Sequence, residues 1–152
     1  MELAAALAVL LIVALLAGPG DGHRKPTPQP RWAARESAAL TALIGDLTAV
    51  ERDAAAAGQP AGNWATALQA DNGRLAADVN AARSLQGGPT ASFSNQWSAA
   101  LAQIGPVVEA ADRVVGDAAG TPARLQADIQ SLGVASRAAG DALLRLAALL
   151  GP

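Results

Sequence analysis

Cysteine and tyrosine are absent from this chain of 152 residues, and aromatic residues make up only 3% of it. Without cysteine, the protein can form no disulfide, no thiolate metal site and no thiol nucleophile, and it offers no cysteine for lipid attachment. Because aromatic residues are scarce, a hydrophobic core must be built from Leu, Val, Ile and Ala. Alanine has the highest intrinsic helix propensity, so this alanine-rich composition, 51% hydrophobic, favours helices over strands.

Histidine is nearly absent as well, since His23 is the only one and no cluster of carboxylates accompanies it. A Ser-His-Asp triad in the folded part is therefore excluded, and so are the Glu-x-x-His pairs that hold metal ions in helical bundles. The net charge is −2, and no basic stripe is present that could neutralise several phosphates. We expect the protein not to be an enzyme, to have no catalytic, cofactor-binding or metal-binding residues, and to bind no nucleic acid.

Long apolar runs are also few, but residues 3–17 form one, LAAALAVLLIVALLA. As a helix this run would span about 22 Å, which is short for a transmembrane helix and closer to the apolar region of a secretory signal. Two features disagree with a signal: no Lys or Arg precedes the run, and Leu15 lies where cleavage prefers a small residue. We assign residues 1–17 as a hydrophobic signal or membrane-anchor segment.

A Pro/Gly-rich linker, residues 18–30, follows this segment. Its three alternating prolines favour an extended geometry, which would hold the folded part away from a membrane as a semi-rigid spacer. Basic residues in the linker favour a cytoplasmic location for that flank. Three alternatives stay open: a cleaved signal, an uncleaved anchor with the folded part outside, and an anchor with the folded part inside. We expect an extracytoplasmic folded part, tethered to the cell membrane through residues 3–17 if they are uncleaved, or secreted.

Three Gly/Pro breaks, at 58–62, 87–89 and 120–122, divide residues 31–152 into four amphipathic segments. In each segment apolar residues recur at steps of three and four, as they do along one side of a helix. Thr121 followed by Pro122 is the clearest helix start, and Asn63 is a second candidate N-cap. The predicted helices cover about 32–57, 63–85, 92–119 and 122–150.

The fold class that follows is all-α: an antiparallel up-down-up-down four-helix bundle over residues 31–152, preceded by a separate N-terminal hydrophobic helix. None of the four segments could bury its apolar stripe alone, and short connections make sequential helices antiparallel. Alanine-rich seams bury less area per residue than leucine seams. A pair of helical hairpins that dimerises into a bundle is therefore the alternative architecture.

Bulky and small residues lie at regular places in these segments. Trp32, Trp64 and Trp97 lie near the starts of the first three helices, and an antiparallel bundle brings Trp32 and Trp97 to the same end. We interpret them as plugs of an alanine-rich core rather than as interfacial anchors. Pro106 should kink the third helix, because it removes a backbone hydrogen bond. Glycines lie near the middle of all four helices: Gly45, Gly73, Gly105, Gly133 and Gly140.

Charged residues pair at helical spacing, which is typical of solvated helix faces worth a few tenths of a kcal/mol for each pair. The predicted pairs are Arg74 with Asp78, Glu109 with Arg113, Arg124 with Asp128, and Arg137 with Asp141.

The function we expect is that of a non-catalytic membrane-tethered or secreted helical bundle that acts through protein–protein contacts, with another protein or by self-association. The alternative is an extracytoplasmic small-ligand-binding or sensory bundle. Its pocket would lie in the middle of the bundle, where the glycines and the polar residues Asp46, Asp71 and Asn72 lie close in sequence.

Overall fold

A computed structural model describes residues 31–59, 62–85, 88 and 90–150. The predicted hydrophobic segment, the linker and His23 lie outside these residues. Within the described ranges all regular structure is helical and no strand occurs, so the predicted all-α class is confirmed there. None of the helices in these ranges is long and apolar enough to cross a membrane.

The helices lie close to the predicted positions. The last one starts at Pro122 as predicted, and the carbonyl of Thr121 accepts hydrogen bonds from Arg124 and Leu125. Asn63 occupies the N-cap position of the second helix as predicted, and its carbonyl accepts a hydrogen bond from Ala67 N, but its side chain makes no capping hydrogen bond. The helices are α1 (Arg31–Ala55), α2 (Trp64–Ser84), α3 (Ala91–Ala102), α4 (Gly105–Gly116) and α5 (Pro122–Leu150).

The third predicted helix is divided into α3 and α4 immediately before Pro106, which confirms the predicted kink. The last residues before the break form hydrogen bonds to the residue three positions earlier instead of four. Gln103 N donates to Ala100 O at 3.1 Å, and Ile104 N donates to Leu101 O at 3.2 Å. Helix α4 then begins with proline in its first turn, where a missing N–H costs nothing. The break lets α3 take its own direction against the rest of the bundle.

The core is made largely of the predicted apolar stripes. In α4 the prediction was wrong in part, because Val107, Ala110 and Val114 are fully buried whereas the predicted Val108 and Val115 are only partly buried. Helix α1 contacts α2 and α5, and α4 contacts the same two helices, so each of these four has neighbours on two sides, as in a helical bundle. Burying one such leucine or valine side chain stabilises the fold by about 1.5–3 kcal/mol. The largest fully buried aliphatic side chains are Leu43, Leu68, Leu75, Leu101, Ile104, Leu132, Leu143 and Leu146.

An aromatic cluster joins the starts of α1 and α3. Trp32 meets Phe93 edge to face with ring centroids 5.7 Å apart, and Phe93 stacks on Trp97 at 6.2 Å. The Nε1 of Trp97 donates a hydrogen bond to the carbonyl of Ala82 on α2 at 3.1 Å. The prediction that Trp32 and Trp97 share one end is therefore confirmed, and Trp97 plugs that end with only 2% of its surface exposed.

The mid-helix glycines do not mark places where helices come close. A Cβ added at Gly45, Gly73 or Gly105 meets no atom within 4 Å, and Gly45 and Gly73 are exposed. At Gly140 the nearest atom is Cδ2 of Leu47 at 3.9 Å, which is an ordinary contact. These glycines therefore bring no helices into close contact in the middle of the bundle, and an added Cβ at three of the five would face open space.

Replacing Gly45 and Gly73 by alanine is expected to raise the free energy of unfolding by about 1–2 kcal/mol in total, since each interior helix glycine costs about 1 kcal/mol relative to alanine. Urea denaturation followed by circular dichroism measures this. Gly58→Ala is the matched control: nothing crowds that position either, but its φ of 86° should make alanine destabilising. A loss of stability in G45A/G73A would show that these glycines have a packing role.

Candidate functional site

Charged side chains line the contact between α1 and α2. We call this group the acidic seam, and it consists of Asp46, Arg52, Asp53, Asp71, Arg74 and Asp78. Arg74 Nη1 lies 3.1 Å from Asp71 Oδ1 and 3.8 Å from Asp46 Oδ1. Arg52 Nη2 lies 2.9 Å from Asp53 Oδ1 and 3.1 Å from Asp71 Oδ2. Both arginines remain more than half exposed while the side chains of Asp46, Asp53 and Asp71 are at most 10% exposed. The guanidinium groups thus cover buried carboxylates from the solvent side.

Asp46 is the most perturbed group of the acidic seam. Its pKa is raised to about 6, first by burial and then by a hydrogen bond to Asp78 and the negative charge of Asp78, while Arg74 acts in the opposite direction. Asp46 therefore keeps its proton to a higher pH than an ordinary aspartate does. This arrangement can respond to pH, but in the described part of the chain no group of three or more His, Cys, Asp or Glu could hold a metal ion.

The arginines pair with carboxylates other than the predicted ones: Arg74 pairs with Asp71 on its own helix and with Asp46 on α1. None of the four predicted pairs lies within 4.0 Å in the described ranges. Instead, Arg113 of α4 lies 3.9 Å from Asp128 of α5, and Arg124 of α5 lies 2.7 Å from Asp117. The prediction was wrong because helical spacing shows only the neighbours within one helix, whereas Arg74, Arg113 and Arg124 each reach a carboxylate outside their own helix.

Asn72 links α2 to α4 from a buried position, with 3% of its surface exposed. Its Nδ2 donates to the carbonyl of Val108 at 3.0 Å and to Asp112 Oδ1 at 2.8 Å. A buried amide that must find these partners disfavours other alignments of the two helices, as single buried polar residues do in coiled coils. Asn72 thus fixes α4 against α2.

A groove of about 510 Å³ opens between α3 and α5, and we call it the α3–α5 groove. Its floor is made mostly of small side chains, because alanine occupies the facing positions of both helices. The polar side chains of Gln96 on α3, of Gln103 directly after its end, and of Asp141 and Arg145 on α5 also line it. The small residues are Ala99 and Ala100 on α3, and Ala138 and Ala142 on α5.

The wall that α5 contributes to this groove continues as a longer stripe. Val134 is 61% exposed and Leu149 is 51% exposed, the two most exposed large apolar side chains of the described residues. They flank the groove residues of α5 at steps of three and four, so all of them share one helix face. The α5 stripe consists of Val134, Ala138, Asp141, Ala142, Arg145 and Leu149.

The hydrophobic periodicity of the sequence does not predict this surface. It predicts one apolar stripe on the last helix, made of Leu125, Ile129, Leu132, Ala139, Leu143, Leu146 and Leu150. These side chains are buried or partly buried in the core. The sequence does contain an indication of it. Val134 and Leu149 do not fall on the predicted stripe, so the helix carries apolar residues on a second face.

Comparisons with models of protein families, with curated proteins and with solved structures found no match to this chain. The function must therefore be argued from its own surfaces.

Proposed function

We propose that this protein is a non-catalytic helical bundle that acts through protein–protein contacts, and that residues 3–17 tether it to a membrane or are cleaved to release it. The observation that carries the proposal is the α5 stripe beside the α3–α5 groove. Isolated exposed apolar residues are ordinary, but apolar residues that flank a concave surface on one helix face mark an interaction site.

The charges of this surface point the same way. Two arginines of α4 and α5, Arg113 and Arg124, form ion pairs with carboxylates within the fold. Asp141 and Arg145 are exposed and form no ion pair with any described residue. An interaction surface with apolar ends and unpaired charges in its middle is suited to a polypeptide, whose side chains can match both features.

The bundle topology that we propose is up-down-up-down. On the acidic seam, Arg52 of α1 lies opposite Asp71 of α2, and Asp46 lies near Asp78, so residue numbers rise on one helix as they fall on the other. Arg113 opposite Asp128 is consistent with the same relation between α4 and α5. The small-ligand alternative stays a prediction from the sequence, since Gly45 and Gly73 face open space rather than an interior pocket.

A photo-crosslinking amino acid placed at Ala138 tests the proposal in living cells. We expect irradiation to produce a covalent adduct with a polypeptide, because Ala138 lies in the middle of the α5 stripe. The same amino acid at Ala81, an exposed alanine of α2, is the matched control and should give no adduct. If adducts are absent at Ala138, or equally abundant at both positions, the contact function is wrong.

The location is tested in the same cells by fractionation and by the mass of the mature N-terminus. An intact Met1 in the membrane fraction corresponds to a tethered protein, whereas a chain that starts near Gly18 corresponds to a secreted one. An intact chain recovered only in the cytoplasmic fraction would contradict both forms of the proposal.

A further inference from the structure

We infer that the partner of the α5 stripe is a second copy of this chain, packed antiparallel through its own α5 stripe about a two-fold axis between residues 141 and 142. This inference rests on the proposed function and names its partner. Three properties of the stripe support it: the symmetric placement of its apolar residues, its two opposite charges, and its small central side chains.

The apolar residues of the stripe are placed symmetrically. Val134 and Leu149 lie equally far along α5 from the midpoint between residues 141 and 142. In an antiparallel pair centred there, Val134 of one copy lies beside Leu149 of the other, and this happens at both ends. Both of the most exposed large side chains in the described part of the chain would thereby be covered. Each contact would gain the free energy of removing apolar surface from water.

The charges of the stripe complement themselves. A two-fold interface uses the same surface on both copies, so each copy must supply both the acid and the base of any ion pair. Asp141 and Arg145 meet that condition. At 1.5 Å per residue, antiparallel packing brings Asp141 of one copy within about one helical turn of Arg145 of the other. This pair forms twice, and such exposed pairs contribute more to alignment and orientation than to affinity.

The middle of the stripe allows two helices to approach. Ala138 and Ala142 have small side chains, and the α3–α5 groove leaves space beside them. Helices that meet through small residues can pack at the shorter end of the usual 8–10 Å interaxial distance. The stripe is only about 22 Å long, so the contact is smaller than the roughly 800 Å² per partner of stable interfaces. We therefore expect a concentration-dependent dimer that tethering to a common membrane would favour.

Because the chain has no cysteine, introduced cysteines report the arrangement without background. In the purified full-length protein under mild oxidation, Ala142→Cys should form a disulfide-linked dimer by itself, since it lies beside the two-fold axis. Val134→Cys and Leu149→Cys should each stay monomeric alone and form a mixed dimer when combined, because only antiparallel packing brings these two positions together. Circular dichroism of each variant verifies that it is folded.

Ala81→Cys on α2 is the matched control for random collision or for association through residues 3–17, and it should give no dimer. The inference is overturned if A142C stays monomeric, if V134C dimerises alone as a parallel pair would, or if A81C dimerises to the same extent. The mass of the Ala138 photo-adduct separates the two proposals. An adduct of twice the chain mass supports both. An adduct with a different protein keeps the contact function and rejects the self-pairing, and the absence of any adduct rejects both.

Discussion

Replacing Trp97 by alanine should lower the free energy of unfolding by about 3–5 kcal/mol, the usual cost of removing a buried tryptophan. Trp97 is 2% exposed, stacks on Phe93, and donates its Nε1–H to the carbonyl of Ala82. Alanine would leave a cavity and remove this hydrogen bond, and each of these adds to the loss. Because domains of this size are stable by about 5–15 kcal/mol, this one change removes a large share of the total.

Urea denaturation of the full-length protein, followed by circular dichroism, measures the loss. Trp64→Ala is the matched control, because Trp64 is only partly buried and should cost clearly less. Trp97→Phe separates two contributions, since it keeps most of the ring contact and removes the hydrogen bond, which is worth about 1 kcal/mol. If W97A and W64A unfold at the same urea concentration, Trp97 is not the plug that the structure indicates.

The same substitution has a consequence for the proposed contact surface. Trp97 lies on α3 next to the groove residue Gln96 and one turn from Ala100, and its hydrogen bond fixes α3 to α2. In folded W97A, we expect the α3 wall of the groove to be less well fixed. Crosslinking from Ala142→Cys should persist if the contact depends on α5 alone, whereas it should weaken if α3 contributes.

The second large expected effect is that the protein is more stable near pH 4 than near pH 7, by up to about 3 kcal/mol. The pKa of Asp46 is raised from 3.8 to about 6 in the folded state by burial and by Asp78. Between these two values the folded chain binds more protons than the unfolded chain. The extra stability is therefore fully present below about pH 4 and is lost as the pH rises through 6.

Asp46→Asn should remove most of this pH dependence, because asparagine does not titrate. It should also raise the free energy of unfolding at pH 7 by about 1–3 kcal/mol, because it removes a buried negative charge. Urea denaturation at pH 4.5 and pH 7 measures both effects. Glu109→Gln is the matched control: it removes one negative charge from an exposed position and should leave the slope unchanged. A D46N slope equal to that of the unaltered chain would contradict the assignment to Asp46.

Some pH dependence should remain in D46N. Burial also raises the pKa of Glu51, against the lowering effect of Arg137. A hydrogen bond with Asp117 raises the pKa of Asp128. Like the raised pKa of Asp46, these two raised pKa values lower the free energy of unfolding as the pH rises. Asp78→Asn is expected to flatten the curve only in part, because it removes the neighbouring charge but leaves Asp46 buried.

Local signals in the sequence predicted the helices well. The break before Pro106 follows from the missing N–H of proline, and the start at Pro122 follows from its fixed backbone angle. These signals act over a few residues and do not depend on what the helix packs against. Predictions about the partners of side chains were less complete. Asn63 makes no capping hydrogen bond, and Arg74 pairs with Asp71 and Asp46 rather than with Asp78. Thr90, whose Oγ1 accepts a hydrogen bond from Phe93 N at 3.2 Å, was the cap that sequence analysis missed.

The sequence by itself determined the helical class, the places where helices begin, break and end, and, except in α4, the side of each helix that turns inward. These depend on propensity, proline geometry and hydrophobic periodicity, all of which are properties of neighbouring residues. Only the tertiary structure decided which arginines cover which carboxylates, that Asp46 lies near Asp78, and that the α5 stripe stays uncovered. Those features arise between helices distant in the chain, so their energies depend on packing geometry that periodicity within one helix does not contain.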